Sequence, residues 1–410
     1  MTPGDPAATA DRRRLVLSFL AFTLLLAGYY LLRPVRDALI AGQGAETIKY
    51  LSSAVFVTML VIVPVFGWLV PRVPRRLLVP LLYGFFVVNL GAFALAFAAG
   101  SSALVARGFY VWVTVFNLFA VSVFWSRMAD VWPEAAARRY FGRVAAGGSL
   151  GGVLGPLLAH ELARGLSPAG LVALAAFFLL GAALCVAALP AGATAPPPVK
   201  SEPGLAEVFS GLVQITQSPF LAAIALLVAL GSVAGMFVYI EMARLAASAY
   251  PDAAARTAFF SGRDFIVNAI SGVLQVAVVG LIAARLGVRG ALVVAGTLVT
   301  VSFVALGLSP TLAMLTVTNV VLRCTEFGLA KPARDMLYTV LPRDAKYQAK
   351  NVIDTAVARG SDMSAGWLHA VLGRFGFVLV SYAGLAAGLA ALSTAVGFAL
   401  GSAYRRRGGR

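Results

Sequence analysis

Only two cysteines and two histidines occur in the 410 residues. Cys185 and Cys324 both sit in apolar runs, which gives no disulfide framework. His160 and His369 are far apart in sequence and have no companion ligands, so no metal site is expected. Charge is scarce as well: Asp, Glu, Lys and Arg make up 12% of the chain, against roughly a quarter in soluble domains. There is no Gly-x-x-x-x-Gly-Lys-Ser/Thr phosphate loop and no stretch long enough for a cytosolic ATPase domain. No Ser/His/Asp or Cys/His constellation stands in a soluble loop, so neither an enzyme nor a resident cofactor is expected. Long alternating apolar and polar strands between turn clusters are missing too, which argues against a β-barrel.

What remains is hydrophobic. Apolar residues make up 60% of the chain and the mean hydropathy is +0.88. Stretches of about 20 apolar residues recur along its whole length, the signature of a polytopic helical membrane protein in the lipid bilayer. Twelve spans are predicted, near residues 15–40, 48–71, 77–99, 103–125, 143–163, 169–190, 219–247, 262–283, 290–308, 311–331, 350–371 and 376–403. The 41 glycines suit close helix packing, and Gly147, Gly148, Gly151, Gly152, Gly155 and Pro156 read as a packing and bending face.

The net charge of +16 would suit nucleic acid, but its placement points elsewhere. Of the 33 Lys and Arg, 22 lie in the segments that alternate on the N-terminal side. That asymmetry predicts cytoplasmic termini, with anionic lipid rather than nucleic acid as the partner of the basic surface. The polar N-terminus runs into a span too long for a signal-peptide core, so no cleaved signal is expected.

Pro190–Ser218, with its Ala-Pro-Pro-Pro-Val-Lys-Ser-Glu-Pro run, reads as an extended cytoplasmic linker. The predicted organisation is a tail over 1–14, a six-helix half over 15–190, the linker over 191–218, a second half over 219–403 and a basic tail over 404–410. The halves echo each other at an offset of about 210 residues. Gly67-x4-Arg72-x-Pro74-Arg75-Arg76 answers Gly280-x4-Arg285-x-Gly287-Val288-Arg289, and Arg139-Tyr140-x-x-Arg143 answers Lys346-Tyr347-x-x-Lys350. Arg33 and Arg36 answer Glu241 and Arg244. Two parallel six-helix halves are the build of the major facilitator fold, with the substrate site between them near mid-membrane. The loops after spans 2 and 8 are partial copies of that superfamily's Gly-x-x-x-Asp-Arg-x-Gly-Arg-Arg, with Pro71 and Pro74 at the acidic and second glycine positions of the first.

Charges inside the spans are the main functional signal. Tyr29–Ile40 carries Arg33, Arg36 and Asp37 on one helical face, with Pro34 between them. Span 7 adds Glu241 and Arg244, span 8 begins with Arg263 and Asp264, span 10 holds Arg323 and Glu326, and span 11 holds Asp354, Arg359 and Asp362. A charge near the bilayer centre costs about 2.5 kcal/mol or more, so such residues face a bundle interior or an aqueous path. Single opposite-sign pairs would also serve as interhelical locks. Arg33, Arg36, Arg244, Arg323 and Arg359 suit an anion, because guanidinium forks bind phosphate or carboxylate bidentately. Tyr29, Tyr30 and Tyr239 could stack on a planar base or pack, and Asp37, Glu241 and Asp362 could temper the field or carry a coupling proton.

Several strings resemble the nucleotide transporter family, the ATP/ADP antiporters of plastids and intracellular bacteria. Leu31-Leu32-Arg33-Pro34-Val35-Arg36-Asp37 is similar to its Ile-Leu-Arg-Asp-Thr-Lys-Asp. Val123-Phe124-Trp125 and Glu134–Phe141 resemble its Leu-Phe-Trp and Glu-Ala-Lys-Arg-Phe-Tyr. Lys331–Tyr338, Lys346–Lys350 and Ile353-Asp354 resemble its Lys-Glu-Met-x-Tyr, Lys-x-x-Gly-Lys and Ile-Asp. The resemblance implies a monomeric major-facilitator-like transporter of a bacterial inner membrane that binds and exchanges nucleotides or a related organic phosphate. Of the four charged positions that matter in that family, Arg36 replaces a lysine and Glu241 matches a glutamate. The span 4 glutamate falls at Val113 or Thr114, and the span 11 lysine aligns with Asp362. A proton-coupled solute or drug transporter is the alternative, and a non-transporting membrane sensor or scaffold the third.

Overall fold

The computed structural model describes residues 6–69, 72–73, 75–100, 102–190, 205–277, 285–342 and 349–408. Pro71, Pro74, Gly280, Lys346, Tyr347 and residues 191–204 of the expected linker lie outside them. The elements in order are α1 (Pro6–Ala41), α2 (Thr47–Leu69), α3 (Arg75–Ala98), α4 (Ala103–Val131), α5 (Glu134–Leu162), α6 (Pro168–Ala187), α7 (Leu205–Gln217), α8 (Pro219–Ala249), α9 (Ala253–Ala277), α10 (Gly287–Leu308), α11 (Leu312–Thr325), α12 (Lys331–Leu337), α13 (Ala358–Arg374) and α14 (Leu379–Arg406). Among the described residues there is no strand. Nine described helical segments are long and apolar enough to cross a bilayer, so the chain is a multi-pass membrane protein. Of the remaining long helices, α9 carries Arg263 and Asp264, and α13 carries Arg359 and Asp362.

One expectation is corrected. Part of the predicted extended linker is the helix α7. Its Leu205, Val208, Phe209, Leu212 and Val213 follow the helical period, which the proline run upstream had masked. Ser218 then ends it and accepts a hydrogen bond from the Leu221 N–H at 3.4 Å at the start of α8.

The helices pack in two compact units. The first comprises residues 1–42, 66–201 and 250–265. Its centre is the crossing of α1 with α5, where the glycine face of α5 lies on the backbone of α1. A Cβ at Gly147 would stand 2.5 Å from the Phe19 carbonyl oxygen, and one at Gly155 2.5 Å from that of Ala27. Only hydrogen fits there. Lipid tails are as apolar as the helix surfaces, so close van der Waals contact, not water exclusion, holds such a pair. The Thr23 hydroxyl donates across the crossing to the Gly147 carbonyl at 3.0 Å. Between α3 and α4, Phe86, Phe93, Trp112 and Phe116 interlock, with Trp112 and Phe116 stacked at 5.1 Å. The start of α9 belongs to this unit. There Arg256 donates to the Ala38 carbonyl at 3.1 Å, a second bond to an oxygen that also accepts the Gly42 N–H at the end of α1.

The second unit comprises residues 43–65, 202–249 and 266–410. Gly397 of α14 sits on Leu292 of α10, where a Cβ would come within 3.0 Å of the leucine side chain. The α13 residue Trp367 donates its indole N–H to Ser53 of α2 at 2.9 Å. Two π turns interrupt the regular helices, Glu326–Ala330 between α11 and α12 and Ile353–Val357 ahead of α13. In the first, the Lys331 N–H reaches back five residues to Glu326, and Pro332, which has no N–H, follows.

Candidate functional site

In the first unit α1 and α9 bring five charged side chains together. Arg36 grips its neighbour Asp37 with a fork, Nη2 at 2.7 Å and Nε at 3.0 Å from one carboxylate oxygen. Arg263 grips its own neighbour, Asp264, at the same two distances, 2.7 and 3.0 Å. The two Arg-Asp pairs are cross-linked. Arg263 Nη2 lies 3.3 Å from the other Asp37 oxygen, and Arg33 Nε lies 3.5 Å from Asp264. Asp37 and Asp264 are each only 2% exposed. Burial this deep is tolerable because every carboxylate has an arginine beside it.

Arg36 has further partners on α4. It donates to the Thr114 hydroxyl at 3.1 Å and its guanidinium lies 4.7 Å from the centre of the Tyr110 ring. Thr114 is one of the two positions where the resemblance places a glutamate. In this chain a neutral hydroxyl stands there. Tyr29 and Tyr30 meet edge to face at 5.0 Å, and the Tyr30 Cβ lies close above Gly155, so Tyr30 packs in the α1–α5 crossing.

In the second unit, Glu241 of α8 is held on both sides. Arg244 donates to one carboxylate oxygen, its Nε at 2.9 Å. His369 of α13 sits against the other, Nε2 at 2.9 Å. α8 and α13 pack together, and a contact 128 residues apart in sequence leaves no local pattern from which it could be read. Tyr382 of α14 stacks on the imidazole, ring centres 4.0 Å apart, and its hydroxyl donates to the His369 carbonyl at 2.8 Å.

The remaining predicted residues also fall in the second unit. Arg334 joins the two π turns, reaching Glu326 at 3.1 Å and Asp354 at 3.8 Å. The extra residue of the first π turn brings positions 326 and 334 onto one face, as a seven-residue spacing would in an α-helix. Arg359 pairs with Asp362 at 3.2 Å, and Arg323 is near enough to act on Asp362 electrostatically. Sequence reading placed Arg263, Asp264 and Arg334 in charged segments but not in the binding set. The repeated Arg-Asp dipeptide at 36–37 and 263–264 was the available signal. Among the described residues no group of three or more His, Cys, Asp or Glu could hold a metal ion.

No family model and no curated protein sequence matches the chain. Solved structures do. A bacterial homologue of the human lysosomal transporter Spinster superimposes with a TM-score of 0.63 at 13% identity, over 98% of this chain and 99% of that one. The nucleoside transporter NupG gives 0.63 at 14% identity, covering 95% and 98%. The human organic anion transporter MFSD10 gives 0.56 at 15% identity, covering 97% and 100%. The fold is major facilitator-like. Full-length coverage of all three means that the twelve-helix architecture is matched from end to end, while identities this low speak to fold alone.

Proposed function

We propose that this protein is a secondary transporter of a small anion, a nucleotide such as ATP or ADP or a related phosphorylated metabolite, working by alternating access. The observation that carries the reading is the buried cluster around Arg36, in which three guanidiniums meet two carboxylates. A surplus positive charge inside apolar helices is unfavourable until an anion offsets it. At Thr114 Arg36 meets a neutral hydroxyl, not an acid. Proteins of this fold include a nucleoside transporter and an organic anion transporter. The distribution of Lys and Arg supports cytoplasmic termini in a bacterial inner membrane.

The test is counterflow. Proteoliposomes preloaded with ADP take up labelled ATP, and Arg36→Gln lowers the rate by about tenfold or more, the loss of one charge-assisted fork. Absence of counterflow for every nucleotide rejects the nucleotide cargo. A second reading, a proton-coupled solute transporter, is favoured by one observation, the Glu241–His369 contact at 2.9 Å.

A further inference from the structure

We propose that the end of the second unit where α10 begins and α14 finishes is a headgroup site for an anionic phospholipid. The site is separate from the transport reading and does not depend on its cargo. Arg289, in the first turn of α10, meets α14 at Gly401, where a Cβ would stand 2.4 Å from the Arg289 Cα. The bare glycine therefore brings the two helices together at the arginine itself. Arg405 follows Gly401 one helical turn later on α14, with Arg406 next to it. Both are exposed, and so is Arg285, four residues before Arg289. Among the described residues, none of these four arginines has a carboxylate partner. The acids of the adjoining α12 region are taken. Asp335 pairs with Lys350 at 2.7 Å, and Glu326 and Asp354 pair with Arg334.

The rest of this face of α14 is apolar. Ala391, Phe398 and Arg405 recur every seven residues, as do Leu392, Ala399 and Arg406, so each set follows one line along the helix. All six are exposed, on a helix long and apolar enough to cross a bilayer. The Arg289 guanidinium lies over the Phe398 ring, 4.9 Å from its centre. That ring holds the cation at the boundary between the apolar line and the basic end. Arg407, one residue beyond α14, is directed elsewhere, over the Phe220 ring of α8 at 4.5 Å.

A ligand that suits both parts carries a negative phosphate and an apolar tail. Guanidinium groups bind phosphate oxygens through paired N–H donors. An acyl chain lying along Ala391 and Phe398 brings its headgroup to Arg289 and Arg405. A free phosphate uses the arginines alone. Basic pockets between membrane helices take anionic headgroups for this reason.

The full-length protein in detergent is titrated with phosphatidylglycerol and with phosphatidylcholine of the same acyl chains. Native mass spectrometry gives the affinity for the first lipid bound. Phosphatidylglycerol is expected to bind about tenfold or more tightly than phosphatidylcholine. The triple variant Arg289→Gln, Arg405→Gln, Arg406→Gln should lose about thirtyfold or more of that affinity, at about fivefold per arginine. Its affinity for phosphatidylcholine should stay the same. Arg138→Gln, Arg139→Gln, Arg143→Gln removes the same charge from exposed positions on α5 and should leave phosphatidylglycerol binding within about twofold. Equal losses in the two triple variants would show diffuse attraction to basic ends and overturn the site. Equal affinity for the two lipids in the wild type would overturn it too. Arg405 and Arg406 are exposed at a helix end, so their double variant folds even where the triple variant does not. It should lose about tenfold or more, and an unchanged affinity overturns the site. Inorganic phosphate that protects against thermal unfolding as well as phosphatidylglycerol does would overturn lipid as the occupant. None of these measurements uses nucleotide uptake, so absent ATP or ADP counterflow counts against the cargo alone.

Discussion

Arg263 of α9 bridges two carboxylates, Asp264 at 2.7 Å and Asp37 of α1 at 3.3 Å, and so ties together helices whose charged residues lie 226 positions apart. The bond joins two like-built Arg-Asp pairs. Its energetic meaning follows from burial: remove either carboxylate and the arginines beside it stay in apolar surroundings with less compensation.

Asp37→Asn is therefore expected to destabilise the protein by about 3–5 kcal/mol, because Arg36 and Arg263 both lose a carboxylate. Thermal unfolding in detergent measures this. A double-mutant cycle with Arg263→Gln should show positive coupling, since the second change removes a charge that the first left unbalanced. Additive losses would show that Asp37 and Arg263 do not act on each other.

Thr114→Glu places an acid beside Arg36. Anion uptake should fall by about tenfold or more while folding is kept, because the new pair is a charge-assisted hydrogen bond. Arg36→Lys should also reduce uptake, since a lysine keeps the charge and loses the fork on Asp37. Unchanged apparent affinity for labelled ATP in both variants would remove Arg36 from the binding machinery.

Gly155→Leu is expected to prevent stable packing of α5 on α1, since even a Cβ would stand 2.5 Å from the Ala27 carbonyl oxygen. Overpacking of this kind costs about 1–3 kcal/mol or more. Gly84→Ala and Gly91→Ala are the controls: a Cβ there meets nothing within 4 Å. Replacing those glycines should be neutral or stabilise by about 0.5–1 kcal/mol through helix propensity. Yield and melting temperature in one detergent compare the three.

Arg334→Gln removes the cation between Glu326 and Asp354. A loss of about 1 kcal/mol is expected, because both carboxylates are about one-third exposed and water screens the pair. Hydrogen exchange should rise at both π turns together, 326–330 and 353–357, because one side chain restrains both. Exchange that rises at one turn only would show that they are restrained separately.

Much of the fold was legible in the sequence, because each membrane span is specified locally. About 20 apolar residues satisfy their own backbone hydrogen bonds and prefer lipid whatever their neighbours do. The glycine face of α5 was legible for the same reason, since residues 147, 151 and 155 repeat every four positions on one helix. α7 was hidden because the Pro-rich run beside it dominated the composition of the segment, although its own apolar spacing is helical.

The opening charges of α1 show where local reading stopped. Helical spacing put Arg33, Arg36 and Asp37 on one face, and it showed that so much charge in a span needs partners. The partners came from Arg263 and Asp264 of α9 and from Thr114 of α4. Glu241 stood out on α8 by its charge alone, while His369, without nearby ligands in sequence, did not. By itself the sequence determined which segments enter the membrane and how many charges they carry, because transfer into lipid depends on each residue's own chemistry. Tertiary structure alone decided which charges meet, because that depends on how helices hundreds of residues apart are packed and rotated against one another.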